Sequence, residues 1–253
     1  MSQVTLQALV AAIVGQAIGY FALAGGLALL VRRWGRARLA PARIPQTDRL
    51  DRAQVIHEVR ATLATLVIGA LGPMALQASG HVRVATTISA PAFLGWVLAL
   101  LLLNDAWFYA AHRLLHTRWL YRHVHAVHHR SVDVNPLTSY SFHVVEAFLL
   151  TAWIYPMALL VPLPLPALGV AQVLGLANNL VAHLGYELLP RGWLRLPGLR
   201  WSTSATYHSL HHTRFHGNYG LMTRTWDRLF RTELPQYEAT FLARGASGPT
   251  DAG

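Results

Sequence analysis

The chain has 253 residues, 53% of them hydrophobic and only 13% charged, with a mean hydropathy of +0.33. That balance excludes an ordinary soluble domain and points to a membrane protein. Its formal net charge of +10 rests on 21 arginines with no lysine, and the lack of cysteine excludes disulfides, thiolate zinc sites, iron–sulfur ligation and cysteine nucleophiles.

In chain order, the first element is "MSQVTLQALVAAIVGQAIGYFALAGGLALL", which lacks a basic n-region and is too long for a signal-peptide core. It is expected to be a retained first span over about Val4 to Leu30, since roughly 20 mainly apolar residues cross a hydrocarbon core. Three further segments qualify: about Ala61 to Leu76, about Pro91 to Ala110 and about Val144 to Val161. A fifth, about Leu165 to His183, carries Gln172, Asn178 and Asn179 and reads either as a span or as a helix dipping toward a polar site. The loop after the first span holds Arg32, Arg33, Arg36, Arg38, Arg43, Arg49 and Arg52, against only Arg83 after the second. Cytoplasmic loops carry the excess of basic residues, so the first loop is expected in the cytoplasm and the N-terminus outside. Counting spans onward, the segment after the third returns to the cytoplasmic side. The "PLPLP" turn then lies on the far side, and everything from His183 onward is cytoplasmic again. The stretch "LLPRGWLRLPGLRW" has the Leu, Trp and Arg mixture of a segment lying among headgroups, and the tail "RGASGPTDAG" is expected to be disordered. Because the arginines gather beside apolar runs, anionic headgroups rather than nucleic acid are the expected counterpart of the positive charge.

Twelve of the fourteen histidines fall between His112 and His216, and "RHVHAVHHRS" alone holds four in ten residues. His112 and His116 form H-x3-H; His125, His128 and His129 form H-x2-HH; His208, His211 and His212 repeat H-x2-HH. Residues three and four apart share a helix face, so each group can present its rings side by side. A lone histidine is ordinarily structural, but burying this many rings without a shared partner is costly, and metal coordination explains the concentration. By the arginine count all three clusters lie on one cytoplasmic face. Imidazole suits zinc, copper, iron and nickel alike. Eight clustered histidines exceed the three or four ligands of one zinc, so two metals are expected. Asp105, two helical turns before His112 on the same face, can orient a ligand ring through its N–H, and Asp227 can do likewise or pair with arginine. His123 reads as interfacial, His57 and His81 as solvent or headgroup contacts, and His216 as part of a loop.

The motifs "HRLLH", "HAVHH" and "HSLHH", set beside apolar spans and followed by "HGNYGLMTRTWDRLF", resemble the fatty acid hydroxylase/sterol desaturase superfamily of membrane di-iron enzymes over about Asp105 to Thr232. The resemblance implies two non-haem irons, with zinc as a substitute metal, and O2 and a separate ferredoxin- or cytochrome-type electron donor. The C–H bond oxidised would belong to an acyl chain or a sterol or isoprenoid lipid. It implies His112, His116, His125, His128, His129, His208, His211 and His212 as metal ligands and adds His183, in "NNLVAHLGYE". Hydroxylases of the superfamily often have a further histidine four residues earlier. Here that position is Asn179, so one metal either loses a ligand or takes an amide oxygen or water. His143 and Glu146, in "NPLTSYSFHVVEAF", match a histidine and an acid of the family pattern with Val144 where proline is usual, and His143 is then a ligand or a group behind one. No catalytic residue beyond the metal ligands is implied.

The expected fold is all-α: an integral membrane helical bundle of about four spans, with a fifth span or re-entrant helix as the alternative, under a cytoplasmic histidine-rich di-metal cap. Residues 1–104 would form the N-terminal transmembrane helices and arginine-rich loop, 105–235 the catalytic domain of the superfamily, and 236–253 a tail, in a protein of the cell inner membrane. A membrane metal transporter or haem electron carrier is the alternative function, but it would place its histidines deep within spans. A zinc hydrolase would need an open site and a nucleophilic water.

Overall fold

The computed structural model describes residues 3–35, 39–44 and 52–243; Arg36, Arg38, Arg49 and the tail from residue 244 lie outside the described residues. The architecture is all-α. Helix α1 (Gln3–Leu30) ends in a π-helical turn over Val31–Gly35 and is followed by α2 (Arg52–Ala78), α3 (Ala90–Leu115) and the short α4 (Arg118–His123). Two 3-10 turns, His125–Arg130 and Pro136–Tyr140, lead to α5 (Val144–Thr151), α6 (Ile154–Leu160) and α7 (Leu165–Ala182). After 3-10 turns at Arg191–Arg195 and Leu199–Trp201 come α8 (Ala205–Arg214), α9 (Thr225–Leu229) and α10 (Tyr237–Ala243).

Among the described residues four helices, α1, α2, α3 and α7, are long and apolar enough to cross a membrane. The first three are expected spans, and the fourth, α7, is the segment expected either as a span or as a helix dipping toward a polar site. The stretch expected to span from Val144 to Val161 is two consecutive short helices, interrupted at Ala152 and Trp153, that lead from the histidine end, where Glu146 meets His125, to the far end, where Leu163 meets Arg83. Pro156 sits in the first turn of the second of these helices, where its missing N–H would have no helical partner. Small residues set the packing: Ala167 and Ala171 of α7 meet Leu100 of α3, and Ala24 of α1 packs with Tyr20 against Leu180.

The two ends of the bundle are recognisable from their loops. At one end β1 (Val84–Ala85) pairs in parallel with β2 (Leu163–Pro164), and Leu163 N donates to Arg83 O at 2.8 Å, so the "PLPLP" turn lies beside the loop after α2, as expected. At the other end Ile44 N donates to Gly185 O at 3.0 Å and Glu187 N to Ala42 O at 2.7 Å, which ties the arginine-bearing first loop to the residues just after His183. Near the start of α2 the fully buried Glu58 accepts from Gln54 Nε2 (2.9 Å), Asn135 Nδ2 (3.0 Å) and Thr138 Oγ1 (2.8 Å). Tyr20 of α1 donates to Leu137 O at 3.1 Å and stacks on Tyr140 at 4.8 Å. The segment after the second histidine cluster is thus held by two helices at once. For the same reason His57 is not a solvent or headgroup contact: its Nε2 lies 2.9 Å from Val127 O, because the first turns of α2 pack against that cluster.

Candidate metal centre

The nine histidines expected as ligands converge into two groups. One holds His112, His116, His125, His129 and His211; the other holds His128, His183, His208 and His212; within each group the candidate ligand atoms lie within 4.8 Å of one another. The grouping does not follow the sequence clusters. The pairs 112/116 and 208/212, at the end of α3 and on α8, stay together because residues four apart share an α-helical face, and 125/129 also stay together within their 3-10 turn, whereas His128 and His211, three residues on from their cluster's first histidine, turn to the other group.

Eight of the nine rings are buried, and His116 is half-buried. Burial, with the neighbouring rings adding to it, holds His125, His128, His129, His208 and His212 well below the ordinary imidazole value. The same desolvation pushes His183 down to about 4 and His211 to about 3. The rings are therefore neutral at pH 7, the form in which imidazole binds metal.

Hydrogen bonds fix which nitrogen is free. His112 Nδ1 lies 2.8 Å from Tyr219 O, His211 Nδ1 2.8 Å from Gly217 O, and His183 Nδ1 2.9 Å from Asn179 O. A carbonyl only accepts, so each Nδ1 carries the hydrogen and each Nε2 turns a bare lone pair inward. His125 Nδ1 lies 2.8 Å from Glu146 Oε1, whose carboxyl is pushed well above its usual range by burial, and the contact orients the ring. Around these, Nε2 atoms stand 3.1 Å apart for His112 and His125, 3.2 Å for His116 and His211, and 3.0 Å for His183 and His208. Metal–nitrogen bonds of about 2.0–2.1 Å put neighbouring ligands roughly 2.9–3.4 Å apart between right-angled and tetrahedral geometry. The residues fit a metal in each group: the spacing is right, and each group has rings, His112 and His211 in one and His183 in the other, whose bare Nε2 lone pairs face their neighbours.

A family model for fatty acid hydroxylase matches residues 97–232, more than half the chain. The chain belongs to the fatty acid hydroxylase family. It is 30% identical over 131 residues to methylsterol monooxygenase 1 of Gallus gallus, a match covering 52% of this chain and 43% of that protein. It is 38% identical over 143 residues to very-long-chain aldehyde decarbonylase GL1-8 of Oryza sativa subsp. indica, covering 54% and 51%. Methylsterol monooxygenase 2-1 of Arabidopsis thaliana is 35% identical over 150 residues, covering 54% and 55%. The matches thus span about half the length of these curated relatives. No solved structure matches the chain.

Within this fatty acid hydroxylase fold, the remaining candidates are placed as follows. Glu146 stands behind His125. His143 lies outside both groups and caps α5, its Nδ1 accepting from Val145 N at 3.2 Å. Asp105 does not reach a ligand ring; it accepts from Met222 N, Thr223 N, Thr223 Oγ1 and Trp226 Nε1, pinning the segment after the third cluster to α3. Asn179 gives its side-chain Nδ2 to Ser139 O at 2.7 Å, and it is its main-chain carbonyl that holds His183. His123 and His216 each bond a nearby carbonyl, of Trp119 and Arg214, at exposed positions. Two groups that sequence reasoning passed over are the carbonyls of Gly217 and Tyr219, which hold His211 and His112. Every residue has a carbonyl, so only the "GNYG" turn hinted at them.

Proposed function

We propose that the chain is a membrane-bound oxygenase that hydroxylates or desaturates a C–H bond of a lipid, either an acyl chain or a sterol or isoprenoid. The centre holds two non-haem irons, and the reaction uses O2 and electrons from a separate ferredoxin- or cytochrome-type protein. The observation that carries this reading is the convergence of nine histidines into two adjoining groups, with the Nε2 lone pairs of His112, His183 and His211 turned inward by carbonyls behind them. Bound there, two irons would supply the reduction of O2 and the oxidation of an unreactive C–H bond, chemistry that no side chain offers alone. Hydroxylation converts the C–H bond, O2, two electrons and two protons to an alcohol and water.

The chain's own part is to hold and orient. His112, His116, His125, His129 and His211 would bind one metal, and His128, His183, His208 and His212 the other. The carbonyls of Tyr219, Gly217 and Asn179 keep the proton on the far nitrogen of their rings, and the Glu146 carboxyl orients His125. Burial of the rings excludes bulk water from the reaction. Hydroxylation and desaturation start from the same hydrogen abstraction, so the placement of the second C–H bond decides between them.

A lipid substrate is supported by the relatives, whose names give methylsterol and very-long-chain aldehyde chemistry, and by the apolar outer faces of α1, α3 and α7. The tie between the arginine-bearing first loop and the histidine end supports a cytoplasmic orientation of the site in the inner membrane. On this reading residues 105–235 are the catalytic domain and 1–104 its membrane anchor. Metal analysis of detergent-purified protein, paired with incubation in a lipid extract with and without O2, tests it. Two irons with an O2-dependent gain of one oxygen in a lipid support hydroxylation, and loss of two hydrogens supports desaturation. Zinc alone, with turnover under argon, would overturn the oxygenase in favour of a hydrolase.

A further inference from the structure

Asp227 has no contact with any histidine, yet it is one of the most heavily bonded side chains in the protein. It is fully buried and accepts from Tyr219 N (2.9 Å), Gly220 N (2.6 Å), Tyr207 OH (2.8 Å) and Thr232 Oγ1 (2.6 Å). The arginines beside it on α9 do not neutralise it: Arg224 pairs with Glu233 and Glu238, and Arg228 with the same two. A buried carboxylate without a cation is costly, and of the two successive peptide units whose N–H groups this one holds, one also meets a histidine.

That unit links Tyr219 to Gly220. Its C=O accepts from His112 Nδ1 at 2.8 Å, and its N–H donates to Asp227 Oδ2 at 2.6 Å. Amide resonance couples the two ends: negative charge at the N–H pushes electron density through the amide onto the carbonyl oxygen. The carboxylate therefore acts on the imidazole without touching it. His125 has a carboxyl group in direct contact, through Glu146; His112 has one at a distance of one peptide.

The loop is built to hold this geometry. Phe215, Gly217 and Asn218 all adopt left-handed backbone, at φ of 61°, 78° and 53°. A Cβ on Gly217 would come within 2.6 Å of Thr232 O, so the residue must be glycine on two counts. Asn218, completely buried, donates from Nδ2 to Tyr207 O at 3.0 Å and accepts from Leu234 N at 2.8 Å. The result aims the carbonyls of residues 217 and 219 at His211 on α8 and His112 on α3. We propose that Asp227 is a positioning residue for the five-histidine group, orienting and polarising His112 through the Tyr219–Gly220 peptide. The inference rests on the two-metal reading above.

The test uses the full chain in detergent, loaded with iron-57 as Fe(II) under argon. Remaining metal is read by mass spectrometry after graded chelator, and the iron environments by Mössbauer spectroscopy. Asp227→Asn is expected to weaken one of the two irons about 10-fold, the low end of the 10–100-fold typical for partners behind a metal ligand. It should shift that iron's signal and leave the other unchanged. Tyr207→Phe keeps the ring but removes the hydroxyl that shares Oδ2 with Gly220, so the same iron should be retained as well as in wild type or better. A purely structural Asp227 would have both variants loosen both irons together with the thermal midpoint, and that result overturns the proposal. If Asp227→Asn does not fold, the sign of the Tyr207→Phe effect decides alone, lowered retention counting against. Wild-type protein that binds fewer than two metals overturns the two-metal reading and this proposal with it. Two metals held equally well by wild type and Asp227→Asn overturn this proposal alone.

Discussion

His128 and His129 adjoin in the chain but face different groups, and His211 and His212 do the same. Successive side chains on a helical turn point about 100° apart, so a double histidine is a way of serving two sites from one segment. His128→Ala and His211→Ala are therefore expected each to lose a different metal, with activity abolished in both. His81→Ala should lose neither, since His81 is exposed at the far end of the bundle. Metal stoichiometry beside turnover checks all three. Asn179→Leu removes the donor to Ser139 O and leaves a buried carbonyl unpaired, which should cost about 1–3 kcal/mol on a denaturant titration. The His183 ring, held by the main chain of residue 179, should keep its metal in that variant. All nine histidines were legible in the sequence because their spacing repeats or matches a family pattern. Their division into five and four was not, because it depends on how three separate segments meet.

The segment from Phe215 to Gly220 shows why part of the site leaves no mark in the sequence. It contributes main-chain carbonyls, and only its demand for left-handed backbone is visible, as Gly217 and Asn218. Gly217→Ala is expected to cost about 1–3 kcal/mol in thermal or denaturant unfolding through its backbone conformation. It should also loosen the metal that His211 holds, because the side chain would displace the carbonyl from the ring. Among the helices, α1, α2 and α3 could be read from apolar length alone. The stretch from Val144 to Leu160 also runs between the two ends, but as two short helices broken before Pro156, a break that apolar length does not reveal. The helix from Leu165 carries Asn178 and Asn179 near its end because those amides reach loop carbonyls at Leu221 and Ser139.

Across the whole molecule, the loop after α1 meets the histidine end and the loop after α2 meets the "PLPLP" turn. Reporter fusions after Arg43 and after Thr240 should thus report one compartment, and a fusion after Val84 the other. A fusion at Thr240 on the side of Val84 would contradict the shared site. The helix lengths carry one more consequence. Helix α3 has 26 residues, about 39 Å of rise, against a hydrocarbon core of roughly 30 Å. The surplus of some 9 Å is about six residues, enough to lift His112 and His116 to the depth where headgroups join their chains. On the proposed chemistry, the enzyme would then meet a lipid near its polar end. Oxidation near the headgroup end of the lipid would follow, with the terminal methyl at the bilayer midplane beyond reach.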